Sequence, residues 1–165
     1  MEISLIPMSQ SPPDSARALS WALDLWGDRY PNYSRLDWAN FYSQSTFSNF
    51  ESWEGNGQEL VFLAKRGEEL VGTISLVDFD DLEEFRHLKP WIAAFIVNPK
   101  LRSEGIGTEI LNILEEKATS FGIDVLHLWT EDQSVFYNKR GYRILTSLRL
   151  GNLDIDVMQK SLVHK

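Results

Sequence analysis

A chain of 165 residues, 43% hydrophobic and 24% charged, has the composition of one folded globular domain with a sizeable core. The net charge of −8 disfavours a general nucleic-acid binder, which needs a basic face, and favours cationic partners at long range. Cysteine is absent, which excludes disulfides, thiolate nucleophiles and cysteine zinc sites.

Ile3 to Met8 reads as a first strand. Pro12-Pro13-Asp14-Ser15 reads as a loop ending in an N-cap, and Leu19, Ala22, Leu23, Trp26 and Tyr30 then follow helical spacing until Pro31. Ser34 and Asp37 resemble a capping box, and Leu36, Trp38, Phe41, Tyr42 and Ser45 predict a second helix. Residues 47 to 58, with Gly55 and Gly57, read as a loop. Leu60 to Lys65 and Leu70 to Val77 read as a hairpin around Arg66-Gly67-Glu68-Glu69.

Residues 78 to 89 form an acidic connection. Its Asp78, Asp80, Asp81, Glu83 and Glu84 lack the glycine and length of a calcium loop, so a solvated acidic turn is expected and no metal. Trp91 to Val97 is an apolar run and the expected central strand. Ile106, Ile110, Leu111, Leu114, Ala118 and Phe121 lie on one helical stripe that Gly122 ends. Val125 to Thr130 is the next strand. Asp132 or Ser134 is expected to cap a short helix that Gly141 ends, and a last hairpin turns at Gly151-Asn152. The order β-α-α-β-β-β-α-β-α-β-β predicts a mixed α/β sheet of about seven strands with about four helices. The crossover helix should be right-handed, and ligands should bind beyond the carboxyl ends of the parallel strands.

Chemistry is concentrated in two places. The first is Val97-Asn98-Pro99-Lys100-Leu101-Arg102-Ser103-Glu104-Gly105-Ile106-Gly107-Thr108, which leads from a strand into a helix. Glycines let a ligand approach the main chain, and the free amides at a helix start bind phosphate. The second is Thr130-Glu131-Asp132-Gln133-Ser134-Val135-Phe136-Tyr137-Asn138-Lys139-Arg140-Gly141-Tyr142. The R-x-x-G-x-G spacing in the first resembles the acyl-CoA pyrophosphate loop of the GNAT superfamily of N-acetyltransferases. The F-Y-x-x-x-G-Y pattern in the second resembles the end of the same fold. It is most similar to a branch that includes bacterial members and the N-terminal acetyltransferase of processed actin.

The resemblance implies one GNAT domain over residues 1–165 and acetyl-CoA as cosubstrate, with no metal. It implies diphosphate binding by Arg102, Ser103, Glu104, Gly105, Ile106, Gly107 and Thr108. It also implies polarisation of the thioester carbonyl by amides near Ile96 and Val97. Ser103 replaces the usual glycine, and Glu104 places a carboxylate where the family is basic or neutral. Tyr137 matches the tyrosine that protonates the leaving thiolate. The expected central strand offers no carboxylate, His or Tyr as base. The base is therefore left among His127, the Glu131/Asp132 pair and water.

Residues 21 to 53 hold ten of the twenty aromatics. In GNAT folds this region walls the acceptor site, and Tyr30, Tyr33 and Trp53 are the expected acceptor contacts. The implied activity is acetyl transfer to a primary amine by direct attack in a ternary complex. Peptide or protein N-terminal acetylation is one alternative, and a non-catalytic acyl-CoA-binding regulator is another. The expected partners are acyl-CoA and an amine, cationic by the charge argument; neither nucleic acid nor membrane is expected, and a homodimer is left open. No apolar run approaches the roughly 20 residues that span a bilayer, and no basic-then-apolar N-terminal segment is seen, so the cytoplasm is the expected location.

Overall fold

The computed structural model describes residues 2–43 and 50–163. Seven strands join one sheet: β1 (Ile3–Pro7), β2 (Glu59–Arg66), β3 (Glu69–Val77), β4 (Trp91–Val97), β5 (Val125–Thr130), β6 (Arg143–Leu150) and β7 (Leu153–Ser161). Their spatial order is β1-β2-β3-β4-β5-β7-β6. Every pairing is antiparallel except β4 with β5. Four helices complete the fold: α1 (Pro12–Leu25), α2 (Arg35–Ser43), α3 (Ile106–Ser120) and α4 (Ser134–Asn138). This is the α/β order read from the sequence, with its crossover helix between the two parallel strands.

The sheet separates two apolar layers. On one face the stripe of α3 (Ile106, Ile110, Leu111, Leu114, Ala118) packs on Phe62, Ile74 and Leu126. Burying one such side chain contributes ~1.5–3 kcal/mol. On the other face Ala18 and Ala22 of α1 and Trp38, Phe41 and Tyr42 of α2 pack on Val61, Leu63 and Ile96. Small residues on α1 let it lie close to the strands. Ser15 joins the two helices, its hydroxyl donating to the Tyr42 carbonyl.

Three local expectations are corrected. Helix α1 starts at Pro12, not after Ser15, because prolines fit the first turn, where an N–H is not needed. It stops at Leu25, so Trp26 and Tyr30 lie in the turns beyond it. At α4 neither Asp132 nor Ser134 caps; Gln133 is the N-cap, and Thr130 Oγ1 accepts from the Gln133 amide at 3.0 Å. In α2 the Ser34–Asp37 box forms as expected, with Ser34 N donating to Asp37 at 2.7 Å and Asp37 N to Ser34 Oγ at 3.2 Å. Ser45 and residues 47–49, predicted as helix and loop, lie outside the described residues.

Candidate active site

The parallel pair opens where the site lies. Strands β4 and β5 pair in register only at Trp91 and His127, near their beginnings. Beyond that point β4 carries a bulge. Ser75 faces Ala93 while Thr73 faces Ile96, so β4 has one residue more than β3, and Ala94 takes φ +50°. The bulge leaves Ala94 and Phe95 without a register partner on β3, and with Ala93 they line an open cleft.

Two cavities occupy that cleft. The first, of about 690 Å³, is a groove along Phe95, Ile96 and Val97, the loop 101–108, and Phe136, Tyr137 and Arg140. Asn98 shapes its entrance: its side chain accepts from Lys100 N and donates to Leu70 O, both at 3.0 Å. Ser103 and Gly105 hold φ of +69° and +77°, and Gly105 caps α3. A left-handed residue just before a helix turns the loop's amides to one side, as an anion site requires. Gly107 has a second reason: a Cβ there would stand 3.3 Å from Val97 Cγ2 and 3.6 Å from Phe136 Cζ. Arg102, Ser103, Gly105, Ile106, Gly107 and Thr108 line the groove, but Glu104 does not. It is exposed, and its charge helps hold the Arg66 guanidinium in its protonated form. Its carboxylate therefore stands outside the lining of the groove, which removes the repulsion that a carboxylate beside a diphosphate would bring.

Arg140 was missed by the sequence reading. Its guanidinium donates to Thr108 Oγ1 and to Phe136 O, and lies 3.7 Å above the Phe136 ring. It thereby joins α4 to the first turn of α3 and presents a fixed cation to the groove. Its place in the F-Y-x-x-x-G motif, one residue before Gly141, was the available signal.

The second cavity, of about 320 Å³, lies beside the α1–α2 turns. Its rings include Tyr30, Tyr33, Trp38, Phe79 and Trp129, and its carboxylates are Glu59, Asp80, Asp81, Glu131 and Asp132. No Lys or Arg lines it among the described residues. Tyr30 packs edge-on against Trp129 at 5.2 Å, and Tyr33 against Trp38 at 4.8 Å. Burial pushes both phenols up, and nearby carboxylates add to this.

Asp80 and Asp81 correct the expectation of a solvated turn. The Asp80 carbonyl accepts from Trp129 Nε1 at 3.0 Å, which folds the connection over the cavity. Burial, then the charges of Asp81 and Glu59, push the Asp80 carboxyl up to about 7. Asp78 does stay structural, accepting from Gly57 N at 2.9 Å and pairing with Lys89 at 3.4 Å.

Trp26, Phe95, Glu131, Asp132, Gln133 and Tyr137 line both cavities and so mark their junction. Tyr137 is nearly buried and wedged edge-on against Phe136 and Tyr142, at 5.1 and 5.7 Å between ring centres. Burial pushes its phenol up, so it keeps its proton at neutral pH. Arg29 grips Glu131 with two nitrogens at 2.7–3.0 Å, and Tyr30 Oη donates to the same carboxylate at 3.1 Å. The Arg29 hydrogen bonds hold Glu131 below the usual carboxylate range, which unfits it as a base. Asp132 remains exposed at the junction.

Two expected site residues lie elsewhere. His127 is buried, its Nδ1 3.1 Å from Pro90 O and its ring 5.5 Å from Trp91, and it lines neither cavity. Burial lowers its pKa, so it is a neutral residue of the sheet. Trp53 packs on the α3-side core, across the sheet from the acidic cavity.

The acetyltransferase (GNAT) family matches residues 23–142. The chain belongs to that family. It is a GNAT N-acetyltransferase. Solved structures share the fold at low identity. An aminoglycoside 6′-N-acetyltransferase complexed with coenzyme A is 19% identical over 100% of this chain and 99% of that one, with a TM-score of 0.72. The aminoglycoside 6′-N-acetyltransferase from Enterococcus faecium is 19% identical over 100% and 99%, with a TM-score of 0.67. A GNAT acetyltransferase from Staphylococcus aureus is 18% identical over 98% and 99%, with a TM-score of 0.63. No curated protein is similar to this chain at a significant level. Among the described residues no helix is long and apolar enough to cross a membrane, and no side-chain cluster could hold a metal ion.

Proposed function

We propose that this enzyme transfers acetyl from acetyl-CoA directly to a primary amine on a cationic acceptor. The observation that carries the reading is the meeting of two unlike cavities at Tyr137. One offers helix-start amides and arginines, which suit a diphosphate. The other offers rings and carboxylates, which suit an ammonium group.

In this reading CoA lies along the groove with its thioester beside Phe95 to Val97. Amides of the bulged strand polarise the carbonyl. The neutral amine attacks the carbonyl carbon from the acidic cavity, a C–N bond forms, and the C–S bond breaks. The departing thiolate takes a proton from Tyr137 Oη. The amine's proton passes through water to Asp132, the carboxylate at the junction that no arginine holds. No acyl-enzyme is invoked, since the chain has no cysteine.

Aminoglycosides, the acceptors named for two of the neighbours, carry several ammonium groups and fit the same charge logic. Acidic N-terminal peptides do not, because the cavity's carboxylates would repel them. A merely regulatory CoA binder would have no use for a phenol between the two cavities. The cytoplasm, where acetyl-CoA is available, goes with this reading.

The test is Tyr137→Phe. It should lower kcat by about 10²–10⁴-fold while leaving calorimetric affinity for CoA within twofold. An unchanged kcat in the folded variant would remove Tyr137 from the mechanism.

A further inference from the structure

The acidic cavity is polarised along its length. Glu59 faces Val77 across β2 and β3, and Val77 faces Trp91 across β3 and β4. Asp80 and Asp81 come three and four residues after Val77, and Asp80 lies close enough to Glu59 and Asp81 to feel both charges. These three carboxylates therefore gather beside the beginning of β4. The junction with the CoA groove lies at its other end, beside Phe95. The cavity's β4 wall runs from Ile92 to Phe95; at ~3.3 Å per strand residue, these three steps cover at most ~10 Å.

The inner end is built for positive charge. Asp81 Oδ2 is buried with no hydrogen-bond partner among the described residues. Like charges crowd Asp80, and a cation between the carboxylates relieves both costs. Tyr33, which feels the charges of Glu59 and Asp80, and Phe79, next to Asp80 in the chain, line this cavity and can offer ring faces to an ammonium group. The nearby Arg86 does not fill that role: it covers Phe79 at 3.8 Å and is paired with Glu83 at 2.8 Å.

The walls between the two ends are apolar. Ala93, Ala94 and Leu128 line them, and the neutral hydrogen-bonding side chains of the cavity are few: Thr130, Gln133 and the phenols of Tyr30, Tyr33 and Tyr137. A hydroxyl-rich sugar would bury many polar groups there without partners. A methylene chain would not. C–C bonds of about 1.5 Å advance an extended chain by about 1.25 Å each, so a chain of about eight bonds spans the gap.

We propose that the acceptor is a slender aliphatic diamine or polyamine: one primary amine reacts beside Phe95, and a second ammonium group is held at the inner end by Glu59, Asp80 and Asp81. This rests on the acidic cavity being the acceptor site. The second ammonium takes no part in the chemistry. It anchors the chain and sets the distance at which the first nitrogen meets the thioester.

Acetylation rates of linear α,ω-diamines and of monoamines with equal carbon chains test the assignment. Spermidine and an aminoglycoside complete the panel. The diamine of best length should exceed its monoamine by at least tenfold in kcat/KM, and the advantage should peak near six or seven carbons. In an Asp80→Asn/Asp81→Asn double variant that advantage should fall about tenfold, with KM for acetyl-CoA within twofold. Asn accepts the left-handed backbone of Asp81 (φ +65°), so the variant should fold, and its melting curve verifies this. Equal rates for mono- and diamines, a faster aminoglycoside, or a preference that survives in the folded double variant would overturn the diamine assignment while leaving the acceptor cavity in place. If no amine is acetylated, the acceptor reading itself falls and the assignment with it.

Discussion

Asp80 combines a cost in stability with its proposed part in holding the acceptor. Its carboxyl is pushed up to about 7 from an ordinary 3.8, first by burial and then by Asp81 and Glu59. Tyr30 and Tyr33 face the same space from the α1–α2 turns, but as neutral phenols. Between about pH 4 and 7 the unfolded chain releases this proton more readily than the folded one, so stability falls as pH rises through that window. The penalty is complete above about pH 7 and absent below about pH 4. Asp80→Asn should therefore raise the melting temperature by a few degrees at pH 8 and hardly at all at pH 4. Equal shifts at both values, or a loss at pH 8, would mean that the carboxylate is not held at a cost. Residues of this kind were hard to read. Asp80 and Asp81 looked like part of a solvated acidic turn, because their burial depends on Trp129 reaching back from β5. Tyr137 was easier, since a motif fixes its place. His127 misled because alternation along a strand does not reveal which neighbours satisfy its ring.

At the scale of elements, periodicity was informative and ends were not. The α3 stripe was legible in full, because five apolar positions at helical spacing have one face to bury. The start of α1 is hard to place because two adjacent prolines read as loop, although the first turn of a helix tolerates them. The bulge in β4 was invisible: Trp91 to Val97 is one apolar run with no glycine to mark a break, and the extra residue shows only against β3. The contact between α3 and α4 was equally hidden, and it carries a prediction. Arg140 ties Thr108 to Phe136 and adds a cation where the diphosphate should lie. A charge-assisted hydrogen bond contributes about 1.5–3 kcal/mol. Arg140→Gln should then weaken CoA binding by about 10–100-fold, and calorimetry reads this directly. Binding of acetyl-pantetheine, which has no diphosphate, should change little. If both ligands weaken alike, Arg140 supports the groove's shape and not its charge.

At the scale of the whole molecule, a net charge of −8 coexists with a groove for an anionic cosubstrate. The conflict is resolved by segregation. Arg29, Arg102 and Arg140 line the groove, while five carboxylates line the neighbouring cavity. Two of those carboxylates, Glu131 and Asp132, belong to both walls, and Arg29 holds Glu131 at the boundary. The sheet order and the splay of β4 from β5 bring these surfaces together from residues more than a hundred positions apart, as with Arg29 and Glu131. Composition could suggest a cationic partner, but only the fold could say where it would sit. In the proposed reaction acetyl passes at this junction from CoA to an amine. It is tested most directly by the initial rate of CoA release from acetyl-CoA, measured with and without a linear diamine, with the amine product weighed by mass spectrometry. The expected result is release that depends on the amine and is matched mole for mole by N-acetylated diamine. Release that proceeds equally without amine, or no acetylated product from any cationic amine, would contradict it.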